Sequence, residues 1–263
     1  MKRSLLAITL VALLTACGST PTQDKTKGWS ASKFYSEARA ELAEGNYDKV
    51  AKLLEQLESR YPFGRYAQQA QLELVYVYYK KGEIEQTLAA ADRFIRLHPN
   101  HPNVDYAYYL KGLANFIDDR SQFRLVSSQD PTERDPKAAR ESFEAFKLLV
   151  ARYPESKYSE DAAARMTYLL NSLASGEVHV ARYYFKRGAF VAVVNRAQYA
   201  LQSYPQAPAN EEALALMVRA YNEMGMADLR DDALRVLEKN FPSSKYLRGR
   251  EEDPAWWMFW KLI

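Results

Sequence analysis

The chain has 263 residues, with 36 lysines and arginines against 33 aspartates and glutamates, and a single cysteine. Nucleic-acid-binding proteins normally carry a concentrated basic excess, so this near-balance favours protein partners and argues against nucleic acid. One cysteine cannot form an internal disulfide, so the fold must be stable without one. The length suits one or two domains.

The first residues have the three parts of a secretory signal: basic Lys2 and Arg3, an apolar run over 5–14, and the small residues Thr15 and Ala16. The run is about half of the ~20 residues that a membrane-spanning helix requires. Nothing later in the sequence is long and apolar enough to span a bilayer. Residues 1–16 are therefore predicted to be a signal peptide that is absent from the mature protein.

Residues 14–17, Leu-Thr-Ala-Cys, resemble the lipobox at which bacteria cleave a prolipoprotein and acylate the new N-terminal cysteine. The resemblance implies a lipid on Cys17, with residues 17–29 as a flexible tether. In lipoproteins of this kind, an aspartate directly after the cysteine signals retention in the inner membrane. Here that residue is Gly18, so the resemblance also implies that the protein is anchored to the periplasmic face of the outer membrane. A chance cysteine beside an ordinary cleavage site is the alternative.

The rest of the chain repeats. Four glycine–proline pairs have the same separation of 17 positions: Gly45 and Pro62, Gly82 and Pro99, Gly188 and Pro205, and Gly225 and Pro242. Pro154 marks a fifth unit, with Lys137 at its glycine position. Glycine suits the left-handed turn that ends one helix, and proline stops the next. Each unit is therefore predicted to be helix, tight turn, helix, stop.

Apolar residues between glycine and proline recur at helical spacing, as in an amphipathic helix. They are Val50, Leu53, Leu54 and Leu57 in the first unit, Ala139, Phe143, Phe146 and Val150 in the third, and Leu229, Ala233, Val236 and Leu237 in the fifth. An alanine eight positions after the proline, at Ala70, Ala107, Ala162 and Ala213, would let neighbouring helices approach closely.

Two units depart from this period. Residues 118–120 (Asp-Asp-Arg) and the polar stretch 127–136 are predicted to form an exposed loop before the third unit's second helix. Between Pro154 and Gly188 the first helix is predicted to be extended. Insertions in repeat arrays often map to a binding face, but the role of residues 118–120, as a helix cap or a partner contact, stays open.

The interval between glycine and proline resembles the tetratricopeptide repeat. An aromatic residue lies two positions after the glycine, at Tyr47 and Phe190, and a tyrosine lies four positions before it, at Tyr78, Tyr184 and Tyr221. The first unit departs from the pattern at Glu41 and Val50. The resemblance implies an all-α, right-handed superhelical solenoid of about five helix pairs. We assign repeats 1–3 to residues 30–155, repeats 4–5 to 156–247, and an aromatic tail to 248–263.

Five longer strings resemble the BamD family, also described as ComL-like, of outer-membrane lipoproteins in the β-barrel assembly machinery: RYPFG (60–64), LVYVYYK (74–80), DRFIRL (92–97), HPNVDY (101–106) and RGAFVAVVNR (187–196). The resemblance implies a periplasmic adaptor that docks on BamA, holds BamC and BamE, and receives unfolded outer-membrane proteins through their C-terminal β-signal. The tail, with Trp256, Trp257, Phe259 and Trp260, is not part of the family pattern; it either caps the last repeat or offers a partner surface.

Groove-facing positions of such repeats, transferred by register, predict a substrate groove of Tyr35, Arg39, Tyr76, Tyr79, Lys80, Tyr106 and Tyr109. A β-signal typically ends in an aromatic residue with a free carboxylate. Tyrosine faces can pack against that ring, and Arg39 or Lys80 can bond the carboxylate. The alternative is that the tyrosines only fill space between helices.

Two further sets are candidates. Tyr61, Phe63 and Tyr66 flank a turn and would form the end wall of the groove, or else pack locally. Arg196, in the last string, is predicted from the resemblance to form a charge pair with BamA, the alternative being a solvated helix charge worth ~0–1 kcal/mol.

No catalytic constellation is present in the sequence: there is no glycine-rich phosphate loop and no nucleophile-elbow serine. The histidines His98 and His101 on a proline-rich turn are too few for a metal site, so neither metal nor cofactor is expected. Two other functions stay open: a tetratricopeptide lipoprotein adaptor for peptidoglycan or competence machinery, and a periplasmic hydrolase with an unrecognised site.

Overall fold

The computed structural model describes residues 26–116 and 136–247. Across these two ranges it contains ten α-helices and no β-strand. We number them α1 (Ala31–Ala43), α2 (Tyr47–Arg60), α3 (Arg65–Lys81), α4 (Ile84–Leu97), α5 (Val104–Ala114), α6 (Pro136–Arg152), α7 (Ser159–Lys186), α8 (Phe190–Ser203), α9 (Asn210–Glu223) and α10 (Ala227–Asn240). The all-α repeat fold predicted from the sequence is confirmed. None of these helices has the length and hydropathy that a bilayer crossing requires.

The predicted glycine turns are present. Gly45, Gly82, Gly188 and Gly225 have φ between 70° and 77°, a left-handed conformation that side chains with a Cβ disfavour. The residue after each glycine donates its backbone N–H, at 2.9–3.0 Å, to the carbonyl five positions earlier. This bond satisfies one of the carbonyls that a helix end leaves without a partner. The second helix of the pair then begins two residues after the glycine.

The prolines stop the second helices as predicted. Helices α2, α4, α6, α8 and α10 each end two residues before a proline: Pro62, Pro99, Pro154, Pro205 and Pro242. The intervening residue has left the helical conformation, as at Tyr61 (φ −129°, ψ 71°) and Phe241 (φ −133°, ψ 64°). A proline disfavours the helical conformation for the residue before it, so the stop is local and steric.

The chain divides into two compact units, one through Ala67 and one from Gln68. The core of the first unit lies between α1 and α2, where Phe34, Ala38, Val50, Leu54 and Leu57 are buried. Within the second unit, Phe94, Phe146 and Leu149 centre one core, and Val193, Leu216 and Ala233 centre another. The recurrent alanines Ala70, Ala107, Ala162 and Ala213 have no exposed surface, as their spacing predicted.

Three details concern the sequence predictions directly. Helix α7 runs for 28 residues, which confirms the extended first helix. The third unit has no glycine at the repeat's turn position, and α6 begins at Pro136, so Lys137 lies in the first helical turn instead of a connecting turn. Proline is favoured at a first helical position. In α10, Ala233 and Leu237 are buried, but Leu229 and Val236 of the predicted apolar stripe are exposed.

Several predicted features lie outside the described residues. They are the signal peptide, Cys17, the Asp-Asp-Arg triplet 118–120, most of the polar stretch 127–136 and the aromatic tail.

A close approach of two helices occurs at Gly112. A Cβ at this position would lie 2.6 Å from Cδ1 of Phe146, whose ring is fully buried. The Ser142 hydroxyl donates a 2.8 Å hydrogen bond to the Gly112 carbonyl, which holds α6 against α5. The absence of a side chain at Gly112 therefore sets how closely these helices pack.

We predict that Gly112→Ala lowers the free energy of unfolding by about 1–3 kcal/mol, because the added methyl overpacks a core that cannot yield. Intrinsic helix propensity alone predicts the opposite sign, since alanine is the better helix former by ~1 kcal/mol. Urea denaturation monitored by circular dichroism distinguishes the two.

The control is the same substitution in a Phe146→Leu background, where the smaller side chain leaves room for the methyl. The two changes should be less than additive, because they share one contact. A stabilising Gly112→Ala would contradict the packing argument.

Candidate functional site

A row of five half-buried tyrosines extends from the second repeat to the turn before α7; we call Tyr76, Tyr79, Tyr106, Tyr109 and Tyr158 the tyrosine row. Tyr76, Tyr79 and Tyr106 pack around the buried Val75, Ala91 and Leu110. Tyr106 stacks on Tyr158 at 5.2 Å between ring centroids, and Tyr158 stacks on Tyr109 at 4.7 Å with the rings 19° apart. The structure therefore brings together the four tyrosines of this unit that the sequence predicted.

Tyr158 was missed by the sequence reasoning. It directly precedes α7 and lies four positions after Pro154, the place that Tyr66 holds after Pro62. The repeat register contained the signal that could have found it. Because its ring stacks on both Tyr106 and Tyr109, the three rings form one continuous aromatic surface.

The tyrosine row ends in an ion pair. The Tyr109 hydroxyl donates a 2.7 Å hydrogen bond to Oδ2 of Asp161, and Arg165 Nε donates to the same oxygen at 2.6 Å. The Arg165 guanidinium also lies over the Phe116 ring, 4.6 Å from its centroid. Asp161 and Arg165 are one turn apart on α7, so the helix itself fixes their spacing. The sequence reasoning missed both, since no local motif marks them.

Burial and the hydrogen bond to Asp161 raise the pKa of Tyr109 to about 12. Burial, followed by the neighbouring tyrosines, raises the pKa of Tyr106 further still. Burial alone would raise the pKa of Asp161, but the hydrogen bonds from Arg165 and Tyr109 outweigh it and hold that pKa below its usual range. At neutral pH Tyr106 and Tyr109 are thus neutral, and Asp161 and Arg165 are charged.

Such an arrangement has the chemistry to bind an aromatic ring beside an anion. The ring faces offer offset stacking, and the guanidinium offers a planar set of donors that matches a carboxylate. Lys80, which the sequence placed in the groove, is exposed one residue after Tyr79 near the end of α3.

The first unit holds the remaining groove candidates. Tyr35 on α1 lies 5.7 Å from Tyr66, ring to ring, and Arg39 is exposed one turn further along the same helix. The Tyr61 hydroxyl donates a 2.7 Å hydrogen bond to the Trp29 carbonyl. Tyr61 and Tyr66 thus make local contacts within this unit.

Phe63 differs from its two aromatic neighbours. It is 90% exposed, in the turn between α2 and α3, and Gly64 beside it has φ of 95°. A phenylalanine presented to solvent contributes nothing to the core, so of the three proposed end-wall residues it is the one most available to a ligand.

Arg196 on α8 has a partner within the chain. Its NH1 donates a 3.1 Å hydrogen bond to Oε2 of Glu177, a buried carboxylate on α7. Arg140 on α6 approaches the other oxygen of Glu177 at 3.7 Å. One buried carboxylate therefore links three helices of the third and fourth repeats. Neither Glu177 nor Arg140 was predicted, because the contact joins segments that no sequence pattern connects.

The two neighbouring histidines have structural contacts. His98 Nε2 lies 2.6 Å from Oε1 of Gln71, and His101 Nδ1 accepts a 3.1 Å hydrogen bond from the Asn103 backbone N–H. Both rings lie 5.2 Å from the Phe94 ring. Within ranges 26–116 and 136–247, no group of three or more histidine, cysteine or acidic side chains is arranged to hold a metal.

Solved structures that align with most of this chain are distant from it in sequence. The crystal structure of MamA protein has a TM-score of 0.34 and 14% identity, with 84% of this chain and 95% of that chain covered. A Podospora anserina putative kinesin light chain with nearly identical TPR-like repeats also has a TM-score of 0.34 and 14% identity, with 80% and 96% covered.

Curated relatives are much closer. The outer membrane protein assembly factor BamD of Neisseria meningitidis serogroup B is 48% identical over 266 residues, covering 99% of this chain and 100% of the relative. The proteins of the same name from Xylella fastidiosa and Vibrio cholerae are each 36% identical, covering 94% and 90% of this chain, and 85% and 98% of their own lengths.

The family model YfiO, described as outer membrane lipoprotein, matches residues 28–237. This range includes every helix from α1 to α9 and most of α10. The resemblance predicted from the five sequence strings is confirmed. Together with the full-length relatives, this match shows that the chain belongs to the YfiO family of outer membrane lipoproteins.

Proposed function

We propose that this chain is an outer-membrane protein assembly factor that binds β-barrel precursors and passes them to the BamA insertase. Family membership supports the general role, since relatives from three genera carry the name of an outer membrane protein assembly factor. The observation that carries the binding proposal is the tyrosine row with the Asp161–Arg165 pair at its end.

The ligand proposed for the tyrosine row is the C-terminal segment of an unfolded barrel, with an aromatic last residue and a free carboxylate. Its ring would pack on the half-buried tyrosine faces, each such contact worth ~0.5–1.5 kcal/mol beyond the area it buries. Its carboxylate would bond Arg165 or Lys80 through charge-assisted hydrogen bonds. Tyr35, Arg39 and Phe63 remain proposed contacts on the first unit.

Attachment to the outer membrane is proposed to be through acyl chains on Cys17, with the repeats in the periplasm. Each buried lipid CH₂ contributes ~0.8 kcal/mol, so two or more chains hold the protein stably. The description of the family as outer membrane lipoproteins supports this placement. We propose that the chain acts by binding alone and catalyses no reaction.

Repeats 4 and 5 are proposed to dock on BamA, with BamC and BamE as further partners. Arg196 fits such a role because its side chain is 45% exposed while NH1 bonds Glu177. A guanidinium has five N–H donors, so one hydrogen bond to Glu177 leaves others to face a partner. Glu177 would then act by orienting Arg196.

We predict that a double change, Tyr76→Ala with Tyr79→Ala, weakens binding of a C-terminal barrel peptide at least about tenfold, or ~1.4 kcal/mol. The reason is the loss of two aromatic faces from the tyrosine row. Binding is measured by fluorescence anisotropy with the peptide and with the same peptide whose last aromatic residue is alanine. Changing Tyr183 and Tyr199, which are exposed on repeat 4, to alanine is the control and should leave binding unchanged.

A second variant tests whether the terminal carboxylate of the peptide is recognised. Arg165→Gln should weaken binding of the free-acid peptide but not of its C-terminally amidated form, because only the free acid presents a carboxylate. Loss of the folded state in the tyrosine variant would favour space filling, whereas normal folding with undiminished binding would rule out the tyrosine row as the peptide site.

We predict that Arg196→Lys weakens binding to the periplasmic part of BamA while thermal stability changes little, since lysine can still pair with Glu177 but lacks the planar donor set. Arg196→Ala should weaken binding further and cost ~1 kcal/mol of stability. Isothermal titration calorimetry and thermal melts give the two readouts. If BamA binding follows stability alone across both variants, Arg196 has only an internal role.

A further inference from the structure

Three apolar side chains on the last described helix are exposed to solvent. Met226, which precedes α10, is 45% exposed, and Leu229 and Val236 within α10 are 46% and 45% exposed. Their spacing of three and seven positions places them along one side of the helix. We call these three residues the α10 stripe.

The same positions are polar in the first two repeats. Counted from the glycine of each turn, the residues equivalent to the α10 stripe are Asn46, Lys49 and Gln56 in the first repeat and Glu83, Gln86 and Arg93 in the second. All six suit a surface that faces water. The third and fourth repeats have mixed or small residues there, with one larger exposed side chain each: Ala138, Glu141 and Leu148, then Ala189, Ala192 and Tyr199. Among the five repeats the last is the one in which all three positions hold large apolar side chains, as expected where another segment covers the helix.

The chain that follows α10 already returns to the end of the array. Phe241, Tyr246 and Leu247 pack against a cluster that contains Leu214 and Leu237. Sixteen residues, 248–263, come next. The first of them are mostly charged (248–253), and the later ones include Trp256, Trp257, Phe259 and Trp260.

We propose that the aromatic tail of this chain packs on its own α10 stripe and so closes the C-terminal end of the repeat array. From Leu247 to Trp256 an extended chain reaches up to ~30 Å, whereas α10, with 14 residues, is ~21 Å long. Any point of the stripe is thus within reach. A covalently linked segment also has an effective concentration of about millimolar, which favours it over a second copy at ordinary protein concentrations.

This contact is independent of precursor binding, and it gives the tail a role within the fold. Burying three large apolar side chains under indole rings removes their apolar surface from water, which is favourable.

Tryptophan fluorescence tests the proposal directly, because three of the four tryptophans lie in the tail and the fourth is Trp29. In residues 18–263 with Trp29→Phe, all indole emission comes from the tail. We expect emission at shorter wavelength than from a synthetic 248–263 peptide, and several-fold weaker quenching by iodide. Emission and quenching equal to those of the free peptide would overturn the proposal.

A second variant locates the contact. Adding Leu229→Glu and Val236→Glu should shift the emission to that of the free peptide, while circular dichroism stays that of a folded protein because both residues are exposed. The matched control, Gln86→Glu with Arg93→Glu at the equivalent positions of α4, should leave the emission unchanged. Protection that persists in the α10 variant, or that is lost on dilution, would refute packing on this stripe within one chain.

Discussion

The fixed interval between a left-handed glycine and a helix-stopping proline is the constraint on which the rest of the structure depends. It gives α2, α4, α8 and α10 the same length of 14 residues. Both ends are set locally, by a φ of 70–77° at the glycine and by steric exclusion before the proline. Equal helices present equal faces, so small residues such as Ala107 and Ala213 recur where helices meet.

The candidate site uses this regularity and then departs from it. Tyr106 and Tyr109 belong to one helix, but the ring that joins them, Tyr158, comes from the following turn. The charged end of the tyrosine row is supplied by α7, the long first helix of the fourth repeat. The candidate site therefore draws on the second, third and fourth repeats, and Tyr76, Tyr79 and Tyr106 pack around residues of more than one helix, which favours a preorganised surface.

The longest described helix, α7, also carries a buried carboxylate. Glu177 lies in the second half of α7 and pairs with cations from α6 and α8, so an isolated charge is avoided inside the protein. Burying a carboxylate without partners would cost several kcal/mol. The pairing makes the exposed part of Arg196 a well-positioned cation, which is the property a docking contact needs.

The sequence alone determined the helices, their turns and stops, the buried alanines, the extended α7 and the family, because each depends on residues a few positions apart or on strings that the family shares. It also identified four tyrosines of the tyrosine row. Only the tertiary structure decided which groups meet: Tyr109 and Asp161 are 52 positions apart, and Arg196 and Glu177 are 19 apart on different helices. The helical pattern likewise could not predict that Gly112 contacts Phe146 or that Leu229 and Val236 are exposed. Periodicity specifies the side of a helix that is apolar, but the neighbouring helices determine how much of that side they cover.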